Sequence, residues 1–598
     1  MAALSPPLVV FVAVLLLATA NTTQSHRHRH HRHAGKTVAT SSATQGMTTV
    51  RAICRTTPHP ESCVASATEH HDGAAAATEK LAASSISVQL LPPSILSVAL
   101  ASLRGALSAV SSLSPVLSSA LSAPPPSPSG SSPLRRGAAQ DCLELHSATF
   151  ASLSRSASLL AAPGENLPAV RAHLAAALAN KATCLDGLAG ASGPEMDGLL
   201  ASLDDAYQHV SNSLSLVAIG GGSAASFATT VAKIIHHNRR LLDDEYNDNG
   251  DDDDNSRNGD DTDDEYNDNG DDDDNSSNGD DTGNKVITVA KDGTGDFRTV
   301  GEAVAAAPNN SATRTVIRVK AGTYEENVEV PPYKTNIDLV GDGRDSTVIT
   351  GSRSAADGWT TFRTATFGVS GEGFMARDVT FRNTAGAAKG QAVALRVNAD
   401  MAAAYRCGVD GHQDALYAHS FRQFYRECVV SGTVDLVFGD AAAVLQGCAL
   451  VARDPLPGQS NVLTAQARGD PNEDTGFSVH NCTVSASPEL LASAVSTRTF
   501  LGRPWRPYAR AVVIDSYLGP LVDRAGWDEW PGAEAGRSST VYFGEYGNTG
   551  PGAATDGRVG WAGFHEMGYD EAAQFSVDSF IAGDDWLAAT SFPYDDDI

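Results

Sequence analysis

The chain has 598 residues, 42% of them hydrophobic, and a net charge of −28. That charge is uneven: residues 1–242 carry +4, residues 243–282 carry −19 and residues 283–598 carry −13. No part offers the Lys/Arg stripe that phosphate binding requires, which excludes nucleic acid as a partner, and the acidic C-terminal part predicts only loose attachment to a polyanionic matrix.

In chain order, the apolar run Leu8–Ala20 is short for a bilayer span and ends in the small-x-small pattern Ala18-Thr19-Ala20. It reads as a secretory signal peptide over residues 1–20, with an uncleaved signal anchor as the alternative. No later segment reads as apolar enough to span a membrane, so no stable membrane partner is expected. Residues 21–46 include SHRHRHHRH and read as a His-rich flexible segment. Clustered His can bind a transition metal, but no fixed geometry is implied and no metal is expected. The secretory route places eight cysteines in an oxidising compartment, four in each half of the chain. It also makes the sequons at Asn21, Asn275, Asn309 and Asn481 candidate glycosylation sites.

Residues 47–217 are rich in Ala, Leu and Ser, with apolar residues at three and four spacing, as in LHSATFASLSRSASLL. That periodicity predicts helices. The stretch APPPSPSGSSP (123–133) cannot be helical and is expected to join two helical hairpins of a bundle of about four helices. With ICRTTPHPESC, ANKATCLDGL and VSNSLSL, this region resembles the pectin methylesterase inhibitor domain. The resemblance implies a four-helix bundle with bridges Cys54–Cys63 and Cys142–Cys184.

Residues 218–242 read as a linker. Residues 243–284 read as an acidic disordered spacer, because the twenty residues from Asp243 recur from Asp263 with one difference, Arg257 against Ser277. The tract loosely follows an EF-hand start at Glu245, but its twelfth position is Ser256, and Ser276 in the second copy, instead of the bidentate Glu that calcium requires. Without apolar residues it cannot bury a core.

Residues 285–598 carry short β-branched runs such as TVIRVK, TNIDLV and STVITG between Gly, Asp and Asn. No helix of crossover length separates them, which leaves a sandwich, a barrel or a parallel β-solenoid. Spacings favour the last: Asp414 to Asp435 and Cys407 to Cys428 are 21 residues, Gln391 to Gln413 is 22 and Cys428 to Cys448 is 20. About 21 residues is one turn of a β-helix, so residues one period apart sit above one another. Stacked Asp414 and Asp435 cannot both ionise easily, which supplies a base or nucleophile and a proton donor together. Gln391 and Gln413 would offer amide N–H groups to an oxyanion. The alternative, that these are structural Asp and Gln ladders, stays open at this point.

From VAKDGTGDFRTVGEAVAAAP through FRNTAGAAKGQAVALR, GHQDALYAHSFRQFYREC, SGTVDLVFGDAAAVLQGC, TAQARGDP and LGRPWRPYAR to VYFGEYGNTGPGA, this region resembles the catalytic domain of plant-type pectin methylesterases over nearly its whole length. The resemblance implies a right-handed parallel β-helix and an aspartyl esterase with no metal or organic cofactor. Asp435 is then the nucleophile on the C6 methyl ester of a galacturonosyl unit, and Asp414 the proton donor and later base. Gln413 stabilises the transition state with Gln391 assisting, and Arg503 orients Asp435. Trp505 stacks on a sugar, exposed in its loop, and Thr361 lines the cleft. A Cys428–Cys448 bridge is implied, leaving Cys407 and Cys482 without assigned partners. Arg239-Arg240-Leu241-Leu242 resembles the family's processing motif between inhibitor-like and catalytic domains.

Departures from the family pattern are His412 for Tyr, Ala415 for Thr, Leu436 for Phe and Asp440 for Asn. His412 is either a titrating group near the cleft or a tolerated surface ring. Asp440 adds charge that would disfavour highly de-esterified substrate. The expected partners are pectin, a processing protease and separate inhibitor proteins, in the cell wall. A pectate lyase or polygalacturonase on a similar solenoid, or an inactive wall-binding protein, are the competing functions; the intact Asp414, Asp435, Gln413 and Arg503 argue against the last.

Overall fold

The computed structural model describes Met47 and residues 49–68, 95–122, 133–161, 166–188, 194–220, 285–493, 496–532 and 536–598. The signal peptide, the His-rich segment, the acidic repeat, Arg239 to Leu242, Asn21 and Asn275 lie outside these described residues. Asn309 and Asn481 are both exposed.

Among the described residues the helical part contains four long helices: α1 (Ile95–Ser122), α2 (Pro133–Ala161), α3 (Leu167–Leu188) and α4 (Pro194–Gly220). Their apolar stripes meet in one core, where Leu103, Val110, Leu117, Leu153, Leu174, Val210 and Leu214 have no exposed surface. Pro133 opens α2, where a missing N–H removes no helical bond. Pro133, which the sequence reading places in the non-helical stretch 123–133, therefore belongs to the helix that follows the break. Residues 49–54 and 60–68 add a short helical arm closed by the Cys54–Cys63 disulfide. Asn212 of α4 clamps that arm, accepting from His59 N at 2.9 Å and donating to His59 O at 2.8 Å. Cys142 and Cys184 are bonded across α2 and α3. The segment Ile95–Pro115 is, by length and composition alone, apolar enough to cross a membrane, contrary to expectation. Its apolar residues Leu103, Ala106 and Val110 are instead buried in the bundle.

Residues 285–598 wind into a parallel β-helix. Among the described residues the strands form long sheets of eleven, seven and eight strands and one small pair. One coil shows the plan: Ala402–Tyr405 enters the eleven-stranded sheet, Gly408–Asp410 the eight-stranded and Leu416–Ser420 the seven-stranded. The next coil stacks in register, Ala402 on Gln423. Inward positions make columns such as Ile317, Leu339, Ala376, Ala404, Tyr425, Leu445, Val479 and Val513. All are buried, so truncating one, such as Leu445→Ala, should cost about 2–5 kcal/mol. The first coil is plugged by α5 (Val300–Ala306), whose Thr299/Glu302 capping box satisfies its N-terminus and turns Val300, Ala303 and Val304 into the core. The outer face of the eleven-stranded sheet is covered by α6 (Val577–Ile581) with Trp586, Leu587 and Phe592, packed on Met375, Phe424 and Val444. The strands of that sheet carrying Met375, Phe424 and Val444 are therefore buried on both faces.

The cysteines of this part form a column. Cys407, Cys428, Cys448 and Cys482 each precede a strand residue in register, Gly408 on Val429, Val429 on Ala449 and Ala449 on Thr483. All four are free and buried, which corrects the expected Cys428–Cys448 bridge. Stacked inward positions of adjacent parallel coils point the same way, whereas a disulfide needs Cβ vectors that converge. Each thiol instead donates to a backbone carbonyl, Cys428 to Ala404 at 3.4 Å, Cys448 to Tyr425 at 3.3 Å and Cys482 to Leu445 at 3.3 Å.

Candidate active site

The seven-stranded sheet consists of β1 (Val328–Val330), β2 (Phe367–Val369), β3 (Leu395–Asn398), β4 (Leu416–Ser420), β5 (Val437–Gly439), β6 (Thr464–Gln466) and β7 (Arg503–Pro504), lying side by side in chain order. Asp414 and Asp435 stand two residues before β4 and β5, which pair Leu416 with Val437 and Tyr417 with Phe438. The two aspartates therefore stack one coil apart, about 4.8 Å in backbone spacing. Both adopt left-handed backbone, φ 64° and 54°, a region that Asp enters more readily than most residues. Both are buried, with 6% and 5% of their surface exposed.

Arg503 separates the pair electrically. Its Nε donates to Asp435 Oδ1 at 2.8 Å and its Nη2 to Oδ2 at 2.7 Å, a bidentate clamp. The guanidinium lies 4.6 Å from the centre of the Trp530 ring. Burial pushes the Asp414 carboxyl well above its usual range, the Asp435 charge pushes it further, and Arg503 offsets part of this. Asp435 is also raised by burial, but the charge and hydrogen bonds of Arg503 act against that. With one proton on the pair, Asp414 holds it and Asp435 stays ionised.

Gln413 directly precedes Asp414 on the same coil and Gln391 lies one coil earlier, both half-buried. Ala392 N donates to the Gln413 carbonyl at 3.1 Å, and the Gln391 carbonyl accepts from Ala355 N at 2.9 Å. Thr361 begins a short 3-10 turn, Thr361–Thr364. Trp505 is half-buried, 6.0 Å from Phe438 and 6.2 Å from Trp530 between ring centres. The expectation of an exposed ring is corrected: Trp505 is one wall of an aromatic floor. Sequence reasoning missed the rest of that floor, namely Tyr417, Phe438, Phe362 and Trp530. Tyr417 and Phe438 stack with ring centres 4.1 Å apart, and their separation of 21 residues, the same as between the aspartates, was the available signal. Phe362 and Trp530 carry no such periodic mark.

The helical bundle lies over this floor. Leu145 of α2 packs with Phe362, Val393, Tyr417, Phe438 and Ala465, and with Trp505 and Trp530 at the rim. Thr183 Oγ1 of α3 lies 3.3 Å from the Tyr417 hydroxyl and 2.9 Å from His419 Nε2. Burial, with Arg396 nearby, lowers the His419 pKa to about 3, so that ring is neutral.

Residues 286–584 match the family model described as Pectinesterase, and residues 48–216 match that of the plant invertase/pectin methylesterase inhibitor. An Arabidopsis thaliana protein named "Probable pectinesterase/pectinesterase inhibitor 12" is 46% identical over 558 residues, 92% of this chain and 94% of that one. The chain belongs to the pectinesterase family. It is a carboxylic ester hydrolase acting on pectin, with an inhibitor-like domain ahead of the catalytic one. A pectinesterase of Daucus carota is 53% identical over 309 residues, 52% of this chain and 96% of its own. The solved pectin methylesterase from carrot shares 53% identity, covers 52% of this chain and 97% of that one, and superposes with a TM-score of 0.51.

Two of the positions at which this pectinesterase departs from the family pattern carry titratable groups, His412 and Asp440. His412 is half-buried, its pKa lowered by burial and by Arg453, with Asp410 opposing. Asp440 lines a pocket together with Lys181 and Asp186 of α3 and Tyr207 of α4. It is buried, and its Oδ1 accepts from Thr475 Oγ1 at 2.6 Å and Gln466 Nε2 at 3.2 Å. Burial raises its pKa to about 7.

Proposed function

We propose that this pectinesterase works through an acyl-enzyme on Asp435. The ionised carboxylate attacks the C6 carbonyl of a methyl-esterified galacturonosyl unit, and the tetrahedral oxyanion is held by the side-chain amides of Gln413 and Gln391. As the intermediate collapses, the C6–O bond to the methoxy group breaks and Asp414 gives its proton to departing methanol. Asp414, now ionised, takes a proton from water, whose oxygen attacks the acyl carbon and releases the polymer carboxylate and free Asp435. Trp505 stacks on a sugar ring and Thr361 lines the cleft. The observation that carries this reading is the asymmetric dyad: two stacked, buried aspartates of which only Asp435 is clamped by Arg503.

In the same reading the bundle is autoinhibitory, because Leu145 and Thr183 occupy the floor on which a sugar would stack. Secretion to the cell wall and proteolysis at Arg239-Arg240-Leu241-Leu242 would then free the cleft, and separate inhibitor proteins with similar bundles would act on the same face. A full-length chain carrying a site-specific protease sequence inside the acidic repeat tests both ideas. Uncut chain should release little methanol from esterified pectin, and cut chain should release methanol and carboxylate in equal amounts. Equal rates before and after cutting would overturn the inhibitory role, and no methanol from the cut chain would overturn the catalytic one.

A further inference from the structure

Of the four sequons, those at Asn309 and Asn481 lie among the described residues. Asn481 has a backbone reason to be asparagine. With Asp378, Arg406, Glu427, Gly447 and Asp515 it forms a column of corner residues, each two positions before a paired residue of the eight-stranded sheet. All six take positive φ, a region that Asn enters more readily than most residues. Asn309 has no such reason, because the left-handed residue of its loop is Asn310, at φ 49°. Among the described residues its exposed side chain has no hydrogen-bond partner.

The rest of that sequon is stitched to the turn after β1. Asn310 N donates to the Tyr333 carbonyl at 2.6 Å, and the Ser311 carbonyl accepts from Thr335 Oγ1 and Asn336 Nδ2, both at 2.8 Å. Lys334 fastens the same turn to the end of α5, its Nζ donating to Ala305 O at 2.7 Å and also to Ala307 O. Tyr333 is thus fixed beside the sequon by its backbone, while 49% of its surface stays exposed. This is the N-terminal end of the β-helix. The strand Lys285–Val289 ends the eleven-stranded sheet here, Lys285 Nζ donates to Ala306 O at 3.2 Å, and Val286 is nearly as exposed as Tyr333. An edge strand with apolar side chains beside it is a surface on which a second chain can pair.

We propose that Asn309 carries an N-linked glycan, that its first sugar lays an apolar pyranose face on the Tyr333 ring, and that the glycan covers this open end of the β-helix. The inference rests on the secretory reading above, because the donor, an oligosaccharide on a lipid diphosphate, is met on that route. In the transfer Asn309 Nδ2 bonds to the anomeric carbon and the sugar's bond to the diphosphate breaks. The amide gives up one proton and the lipid diphosphate leaves. Tyr333 follows β1, which is three coil spacings, about 14 Å, from β4, so the attachment point stands apart from the dyad.

The test expresses the full-length chain in plant cells and weighs the peptide containing position 309 before and after an amidase that cleaves the Asn–sugar bond. Wild type should be secreted with an oligosaccharide on Asn309, and the amidase should leave aspartate there. Ser311→Ala should lose the sugar and Ser311→Thr should keep it. Thermal melts give a second readout. Tyr333→Ala should lower the melting temperature of the glycosylated chain by about 2 °C, as expected for one lost ring contact. The same change should do little in Asn309→Gln, where no sugar packs on the ring, and Tyr333→Phe should melt as wild type does. On size exclusion, Asn309→Gln should self-associate at a several-fold lower concentration than wild type. A secreted chain with Asn309 bare, an equal shift from Tyr333→Ala with and without the sugar, or unchanged association of Asn309→Gln would each overturn the proposal. A chain kept in the cytosol with its signal peptide intact would contradict the secretory reading itself, and the proposal with it.

Discussion

The same residue type behaves in opposite ways in the two halves of this chain. In the helical half, Cys142 and Cys184 sit on two helices packed face to face, their side chains converge, and they bond. In the β-helix, Cys407, Cys428, Cys448 and Cys482 stack on successive coils, point the same way and stay thiols. A bundle brings different parts of the sequence together head-on, whereas a coil repeats one environment at one interval. That repetition also places two carboxylates in one buried column, where they are forced to share a proton. The interval that leaves the cysteines unbonded makes the aspartates a dyad, and Arg503 then breaks the symmetry between them.

The largest effect should come from breaking the stack at its acid. Asp414→Asn removes the proton donor while leaving Arg503 on Asp435, and should lower methanol release by the cut chain by about 10²–10⁴-fold. A fall of less than tenfold would mean that the stack is structural, like the thiol column.

The cysteines sharpen the comparison at the level of stability. Removing the Cys142–Cys184 bridge, whose partners are 42 residues apart, should destabilise the bundle by about 4 kcal/mol in urea unfolding. Cys428→Ser keeps a donor for the Ala404 carbonyl and should cost about 1 kcal/mol or less. Thiol titration of the denatured chain should count four free cysteines.

A smaller effect should follow from Asp440. Its native pKa of about 7 lies above its ordinary 3.8 because burial disfavours the charge. The native state therefore holds the extra proton, so this contribution to stability is complete below about pH 4 and is lost as pH rises through about 7. Asp440→Asn should remove that loss and stabilise the β-helix by on the order of 2 kcal/mol at pH 8 relative to wild type, with little gain at pH 4. Buried Glu473, raised by burial and by Asp440, titrates beside it in the same sense, so a residual slope should remain. Thermal melts across this pH range read the difference.

Much of this architecture was legible because a parallel coil writes its period into the sequence. The 21-residue interval placed Asp414 and Asp435 one coil apart before any geometry was known, while only the family resemblance favoured a catalytic pair over a structural ladder, and the same interval holds for Tyr417 and Phe438. Contacts between coils of unequal length left no such mark. Arg503 is 68 residues from Asp435, and only the family resemblance pointed to it, while nothing pointed to Trp530 beneath it. The expected Cys428–Cys448 bridge failed because closeness in a stack is not convergence. In the helical half, the Pro-rich break was plain, but its last residue, Pro133, opens the helix that follows. Leu145 read as one more apolar residue of a helical stripe, since periodicity shows that a face is buried and not what buries it.

The central claim, that the stacked pair is an esterase because Asp435 alone is held ionised, is tested most directly by methanol release from esterified pectin by the cut chain and its Asp435→Asn variant. Asparagine keeps the shape of the site but carries no nucleophilic charge. The variant should fold as wild type does by circular dichroism and release methanol at least ~10³-fold more slowly. A rate within tenfold of wild type would contradict the account.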